Sequence, residues 1–200
     1  VVAVSAGDDW EVDLERRLAR VRPEHTIRGL FLQSYLRQLR VLGGEPLWER
    51  GLALCGDAPL VELFHYPVRT QLQLLGLLMP PLVERHGTAA AGLRALGREC
   101  IGDFLSSYTG RFLVRLAGTD ARRMLNHSPM GYRVATGFGE HSLEWRGARH
   151  CHWTMRDVFL PCAYHEGQLT AILERGGARE VRMNGRQTAL LDCEYDISWE

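Results

Sequence analysis

The stretch RHCHWTMRDVFLPCAYHEG, residues 149–167, gathers three histidines, two cysteines, an aspartate and a glutamate. Imidazole and thiolate are zinc ligands, and histidines two apart on a strand share a face. His150, His152, Cys162 and His165 therefore form a candidate metal set. Against it, His150 and His152 share their face with Thr154 and Arg156, as on a solvated surface, while Cys151 points the other way. A second candidate is a thiol nucleophile with its base: Cys162 and His165 lie three apart on a helix opened by Pro161. The dipole at a helix N-terminus stabilises a thiolate. No glycine-rich oxyanion loop accompanies the pair, and the same residues read as a small buried hydrophobe beside a locally bonded histidine. The third is the carboxylate row Asp192, Glu194 and Asp196, on one face of a strand and open to general acid–base work. Arg179 and Arg182 in the strand before it offer charge partners, which makes it a compensated, solvated face. The sequence assigns no catalytic residue.

These side chains need elements to hold them. In residues 27–42, Ile27, Leu30, Phe31, Tyr35, Leu39 and Leu42 recur at helical spacing, and Gly43-Gly44 predicts a stop. A short helix over 47–54 follows, then one over 68–79 ended by Pro80-Pro81. Thr88 predicts the N-cap of a long helix reaching Leu116, with Leu93, Leu96, Cys100, Phe104, Tyr108, Phe112 and Leu116 on its apolar face. Gly92, Gly97, Gly102 and Gly110 within it predict close packing or a bend. Thr119 or Asp120 caps a brief helix ending near Asn126.

From Tyr132 the period changes to two: Tyr132, Val134, Thr136 and Phe138 share a face, and Leu143 with Trp145 continue after Gly139. Cys151, Trp153 and Met155 point inward in the next strand. A helix from Pro161 to Gly176-Gly177 follows, then a hairpin turning at Asn184-Gly185. Its last strand has Ala189, Leu191, Cys193, Tyr195, Ile197 and Trp199 on one side. This order predicts an α+β fold: N-terminal helices packed on one face of a C-terminal four-stranded antiparallel sheet, with a helix between the two hairpins. One domain over 1–200 is expected, helical over about 8–127 and sheet plus helix over about 131–200.

Composition narrows the function classes. Net charge is zero, so no global field draws the chain to nucleic acid. Arg16, Arg17, Arg20 and Arg22 are balanced by Glu11, Asp13 and Glu15. All 24 basic residues are arginine, which excludes lysine Schiff-base chemistry and a P-loop lysine. No Walker loop, HExxH, GxSxG or dinucleotide fingerprint is present. Cysteines 55, 100, 151, 162 and 193 are odd in number and show no CxxC spacing, which predicts a reducing compartment. With no apolar run of membrane-spanning length and no signal-like start in VVAVSAGDDWEVD, the expectation is a cytoplasmic chain.

The blocks GLFLQSYLRQLRVLGGEPLWER, ALGRECIGDFLSSYTGRFLVRLAGTDARRML, FLPCAYHEGQL and LDCEYDISW resemble an uncharacterised family of myxobacterial paralogues, known as a domain of unknown function. The resemblance runs from about Arg28 onward. The tail is more distantly similar to the fold shared by heme-nitric-oxide-binding domains, 4-vinyl-reductase domains and TRAPP vesicle-tethering subunits. That likeness implies a ligand sensor or a dimeric scaffold, with a pocket between sheet and helices. Heme-binding relatives carry Tyr-x-Ser-x-Arg ahead of the inter-hairpin helix, where this chain reads WTMRDVFLP, and the histidine left to serve as axial ligand is His127. Zinc-binding vinyl-reductase relatives use a cysteine cluster near the C-terminus, where Cys193 stands alone. No cofactor is therefore assigned, with heme and zinc kept as alternatives.

The resulting expectation is a non-enzymatic small-molecule-sensing or regulatory domain that binds a hydrophobic small molecule and forms a homodimer. Tyr108, Phe112, Trp145, Trp153 and His165 are its expected pocket walls, chosen for inward parity and bulk or polar tips. The same residues read as core filling. Two alternatives remain: a TRAPP-like interaction scaffold without ligand, and a metal- or thiol-dependent enzyme.

Overall fold

Gly44, with φ 68° and ψ −165°, interrupts a helix that otherwise runs from Gly29 to Cys55, so the stop expected at Gly43-Gly44 is a bend between two helical pieces. The computed structural model describes residues 10–200, without the side chains of Leu113, Leu116 and Ala117. The place of Leu116 on an apolar stripe and the start of the helical part at residue 8 lie outside the described residues.

Helices α1 (Trp10–Leu18) and α2 (Gly29–Cys55) flank strand β1 (Thr26–Arg28), which pairs with β2 (His65–Pro67). Helix α3 (Val68–His86) continues past Pro80 and Pro81 to a left-handed cap at Gly87. Helix α4 (Ala89–Ser106) begins at the expected cap, where Thr88 Oγ1 accepts from Ala91 N at 3.2 Å. The long helix expected to reach Leu116 is instead two. Ser107 is extended and caps both ends, donating to Phe104 O at 2.7 Å and accepting from Gly110 N at 3.1 Å. Helix α5 (Tyr108–Ala117) therefore starts on a new axis. Asp120 caps α6 (Ala121–Ala135), accepting from Arg123 N at 2.8 Å.

The chain through Tyr132 is the last turn of α6, not a strand. Met124, Leu125 and Ala135 are buried at helical spacing, and that face outweighs the alternation of 132–138.

Strands β3 (Glu140–Gly147), β4 (His150–Arg156), β5 (Arg182–Ala189) and β6 (Asp192–Ser198) form an antiparallel sheet in the order β3-β4-β6-β5. Helix α7 (Cys162–Arg175) runs between the two hairpins. The fold is α+β, as the order of periodicities predicts. Cys151, Trp153 and Met155 of β4 and Cys193, Tyr195 and Ile197 of β6 are buried under the helices. Burying each large side chain contributes about 1.5–3 kcal/mol. Ala189 and Leu191, expected on that face, sit at the β5–β6 turn instead.

Asn184-Gly185 is not the hairpin turn. Both pair inside β5, with Asp196 and Tyr195. The glycine is there because α7 comes close: a Cβ at Gly185 would lie 2.3 Å from Glu166 Oε1 and 2.7 Å from Cys162 Sγ. The same device joins α7 to α4. A Cβ at Gly97 would meet Tyr164 O at 2.0 Å, and one at Gly167 would meet Arg94 O at 2.0 Å. Glu166, 8% exposed, locks this junction by accepting from Arg94 Nε and from Gly185 N.

Candidate functional site

Tyr132 stands where α6, α7 and β3 meet. Its hydroxyl donates to Gln168 Oε1 at 3.0 Å and lies 3.3 Å from His165 Nδ1, while its ring stacks on His141 at 4.2 Å. His165 Nδ1 is 3.1 Å from the same Gln168 oxygen, and Gln168 Nε2 donates to the Tyr164 hydroxyl at 3.4 Å. A carboxamide oxygen only accepts, so the His165 proton sits on Nδ1 and Nε2 keeps its lone pair.

Two cavities flank this cluster, sharing Phe31, Tyr132, Ala135 and Gln168 as walls. The first, about 60 Å³, is lined chiefly by apolar side chains such as Ile101, Phe104, Met124 and Ile172, with His127 and Ser128 of α6. Val114 of α5 closes one side. The second, about 40 Å³, is also walled mostly by apolar side chains, and Gln71, His141 and His165 are among the polar ones. Among the described residues, Gln71 Nε2 and Oε1, His141 Nδ1 and His165 Nε2 are buried without a hydrogen-bond partner. Burial, then the nearness of His141, holds His165 down to about 3. Burial, then Arg133, holds His141 down to about 4. Both imidazoles are neutral at neutral pH.

Of the residues singled out from the sequence, His165 lines the second cavity. Trp153 is fully buried and packs edge-on to Tyr132 and His141, behind the cavity walls. Trp145 bonds Asn126 and carries the Arg122 guanidinium on its ring, near the sheet edge. Tyr108 and Phe112 lie outside both cavities and are 82% and 59% exposed. The break at Ser107 is the reason, because it turns their face of α5 away from the core.

The four metal candidates do not converge. His150 and His152 are on the outer face of β4, where His150 bonds Asp196 at 3.0 Å, while Cys162 and His165 lie on the covered side. Among the described residues, no group of three or more His, Cys, Asp or Glu could hold a metal ion. Cys162 is not activated by His165. Its hydrogen bond to Cys193, then burial, pushes the thiol up, and His165 Nδ1 is committed to Gln168 and Tyr132. The carboxylate row is compensated, though by other partners than Arg179 and Arg182. Arg186 meets Glu194 at 2.7 Å, Arg146 meets Asp196 at 3.2 Å, and Asp192 accepts from Asp157 N.

Gln71, Tyr132, His141 and Gln168 are site residues that sequence reasoning missed. A signal existed for two of them: Gln71 is a polar residue at a core-facing position of an otherwise apolar helical stripe, and Gln168 falls on the buried face of α7.

A family model described as "Protein of unknown function (DUF2378)" matches residues 20–200. The chain belongs to that family. A search of curated proteins found no match for this DUF2378 chain. Among solved structures it is similar to an H-NOX protein from S. oneidensis in the Fe(II)NO ligation state, at 12% identity and a TM-score of 0.68. That match covers 87% of this chain and 99% of the other. An Fe(II) unliganded H-NOX protein from K. algicida matches at 12% identity and a TM-score of 0.65, covering 87% and 97%. An oxygen-binding H-NOX domain related to soluble guanylate cyclases matches at 12% identity and a TM-score of 0.60, covering 87% and 95%. The DUF2378 chain shares the H-NOX fold.

The residues present do not fit a heme. His127 does face the first cavity, but that cavity is about 60 Å³, against the roughly 300 Å³ or more of a pocket for a large ligand. Tyr132, Gln168 and His165, the polar groups beside it, are already hydrogen-bonded to one another. Among the described residues, no helix is long and apolar enough to cross a membrane.

Proposed function

We propose that this DUF2378 chain is a small-molecule-sensing or regulatory domain rather than an enzyme, with its ligand held between the helices and the sheet. The first cavity carries this reading. It is apolar, it is built from α2, α4, α5, α6 and α7, and its polar groups fix orientation without forming a nucleophile–base pair. The guest is small, since an apolar cavity that holds benzene measures roughly 150 Å³. Neighbours of the same fold include an oxygen-binding domain and one in an Fe(II)NO state, which supports a small guest here as well. Val114 makes α5 a wall of the cavity while Tyr108 and Phe112 lie on its exposed side. A guest therefore pushes on a helix that shows two aromatics to its surroundings.

Methyl NMR under xenon pressure tests the reading. The methyls of Ile101, Met124 and Ile172 shift together, and Ser128→Leu, which fills the cavity from α6, removes the response. Methyl shifts that are uniform over the molecule, or none at all, contradict it.

The second reading is an interaction or homodimerisation module without a ligand, and the exposure of Tyr108 and Phe112 one turn apart on α5 favours it. Light scattering decides: a dimer that Phe112→Arg dissociates supports this module, and a monomer at every concentration rejects it.

A further inference from the structure

The second cavity differs from the first in what its walls leave unsatisfied. Gln71, only 1% exposed on α3, has no hydrogen bond of good geometry at its amide N–H group or its amide oxygen, and the buried Tyr35 hydroxyl beside it is likewise unpaired. His165, 4% exposed on α7, adds the Nε2 lone pair, and His141 on β3 adds Nδ1. Four such atoms around one small space are costly, because a buried polar group without a partner loses its hydration with nothing in exchange. The lining contains no carboxylate, guanidinium or ammonium, and the buried guanidinium behind it, Arg17, is already held by Asp13 and by Phe159 O, so a charged guest would find no free counter-ion. An apolar guest would leave all four polar atoms as they are.

We infer that the second cavity recognises a small neutral group presenting a hydrogen-bond donor and acceptor side by side, the chemistry of a primary carboxamide. Such a group is the complement of the Gln71 side chain, pairing N–H to oxygen in both directions. Its second N–H meets the lone pair of His165 Nε2, and its oxygen side is left for His141. The volume of about 40 Å³ admits a head group of a few heavy atoms.

Two sources share this chemistry: a free small amide, or the amide head of a longer apolar ligand whose body lies in the first cavity, across the shared wall of Tyr132 and Gln168. The inference deepens the sensing reading and rests on it.

The test is a titration of the wild-type chain, following the side-chain ¹⁵N shifts of His165 and His141. The probes are acetamide, acetone (which lacks the donor), acetate (which is charged) and hexanamide. Acetamide moves both histidines with an affinity of roughly millimolar order, within the ceiling of about −1.5 kcal/mol per heavy atom for so small a guest. Acetone and acetate bind at least about tenfold more weakly, because each leaves buried polar groups unpaired or adds an unpaired charge. Gln71→Met, similar in shape, loses the acetamide response while keeping the xenon response of the first cavity. Hexanamide binding about tenfold tighter and also moving the Met124 and Ile172 methyls identifies a head group, whereas affinity equal to acetamide identifies a free amide; each outcome supports the site. Equal response to acetamide and acetone, or an unchanged response in Gln71→Met, overturns it. Xenon binding without amide selectivity rejects this inference alone, and loss of both responses rejects the sensing reading with it.

Discussion

His165 is the residue on which most of the local chemistry turns. Gln168 accepts at Nδ1 and leaves Nε2 as a lone pair, and burial keeps the ring neutral down to about 3. His141 behaves alike, down to about 4. A histidine whose folded value is depressed binds fewer protons folded than unfolded, so its contribution to stability is complete above the ordinary value near 6.5. It is lost as pH falls from there toward 4 and 3. The unfolding free energy from urea melts is therefore expected to be flat above pH 7 and to drop on acidification, by on the order of a few kcal/mol by pH 4. His165→Gln flattens part of that drop, and a midpoint unchanged between pH 7 and 4.5 would contradict the assignment. The cysteines give a second residue-scale expectation. Cys55 is half-buried, whereas Cys100, Cys151, Cys162 and Cys193 are buried. Burial pushes Cys100 up to about 12 and Cys151 likewise. A thiol reagent added to native protein labels Cys55 first, and fast labelling of Cys162 would restore the nucleophile reading.

Elements explain why those residues meet, and where the sequence was readable. The cap at Thr88, the inward parity of Cys151, Trp153 and Met155 and the helix from Pro161 follow from local rules of capping and period. The break at Ser107 does not, because its dual cap competes with an unbroken apolar stripe and only the tertiary packing decides between them. That stripe points Tyr108 and Phe112 inward, which the break reverses. Around Tyr132 a few alternating residues cannot be told from the last turn of a helix. Asn184-Gly185 signals a turn, although here the glycine admits α7. Packing at Gly97 and Gly167 makes a sharper expectation. Gly97→Ala places a Cβ 2.0 Å from the Tyr164 oxygen and is expected to cost about 1–3 kcal/mol or more. Gly102→Ala, with nothing within 4 Å, is expected to gain roughly 0.5–1 kcal/mol. Thermal melts of the two variants check both signs. Glu166→Gln, which leaves Arg94 and Gly185 N with a weaker acceptor, is expected to cost about 1–3 kcal/mol on the same assay.

At the scale of the whole molecule, the sheet order β3-β4-β6-β5 puts the two hairpins side by side and α7 over their junction. The helices α2 to α6 then close the space above the sheet, and the chain takes up the H-NOX fold with a first cavity of about 60 Å³. The apparent cluster of residues 149–167 is divided by this arrangement: the sheet separates His150 and His152 from Cys162 and His165. What the fold brings together instead is Gln71 of α3, Tyr132 of α6, His141 of β3 and the His165–Gln168 pair of α7, four elements that no local spacing connects. Ligand sensing depends on the apolar cavity beside them, and a crystal pressurised with xenon tests that cavity most directly. One xenon atom is expected among Ile101, Phe104, Met124 and Ile172, and none there in Ser128→Leu. Xenon bound only elsewhere, or no bound xenon in the wild type, would contradict it.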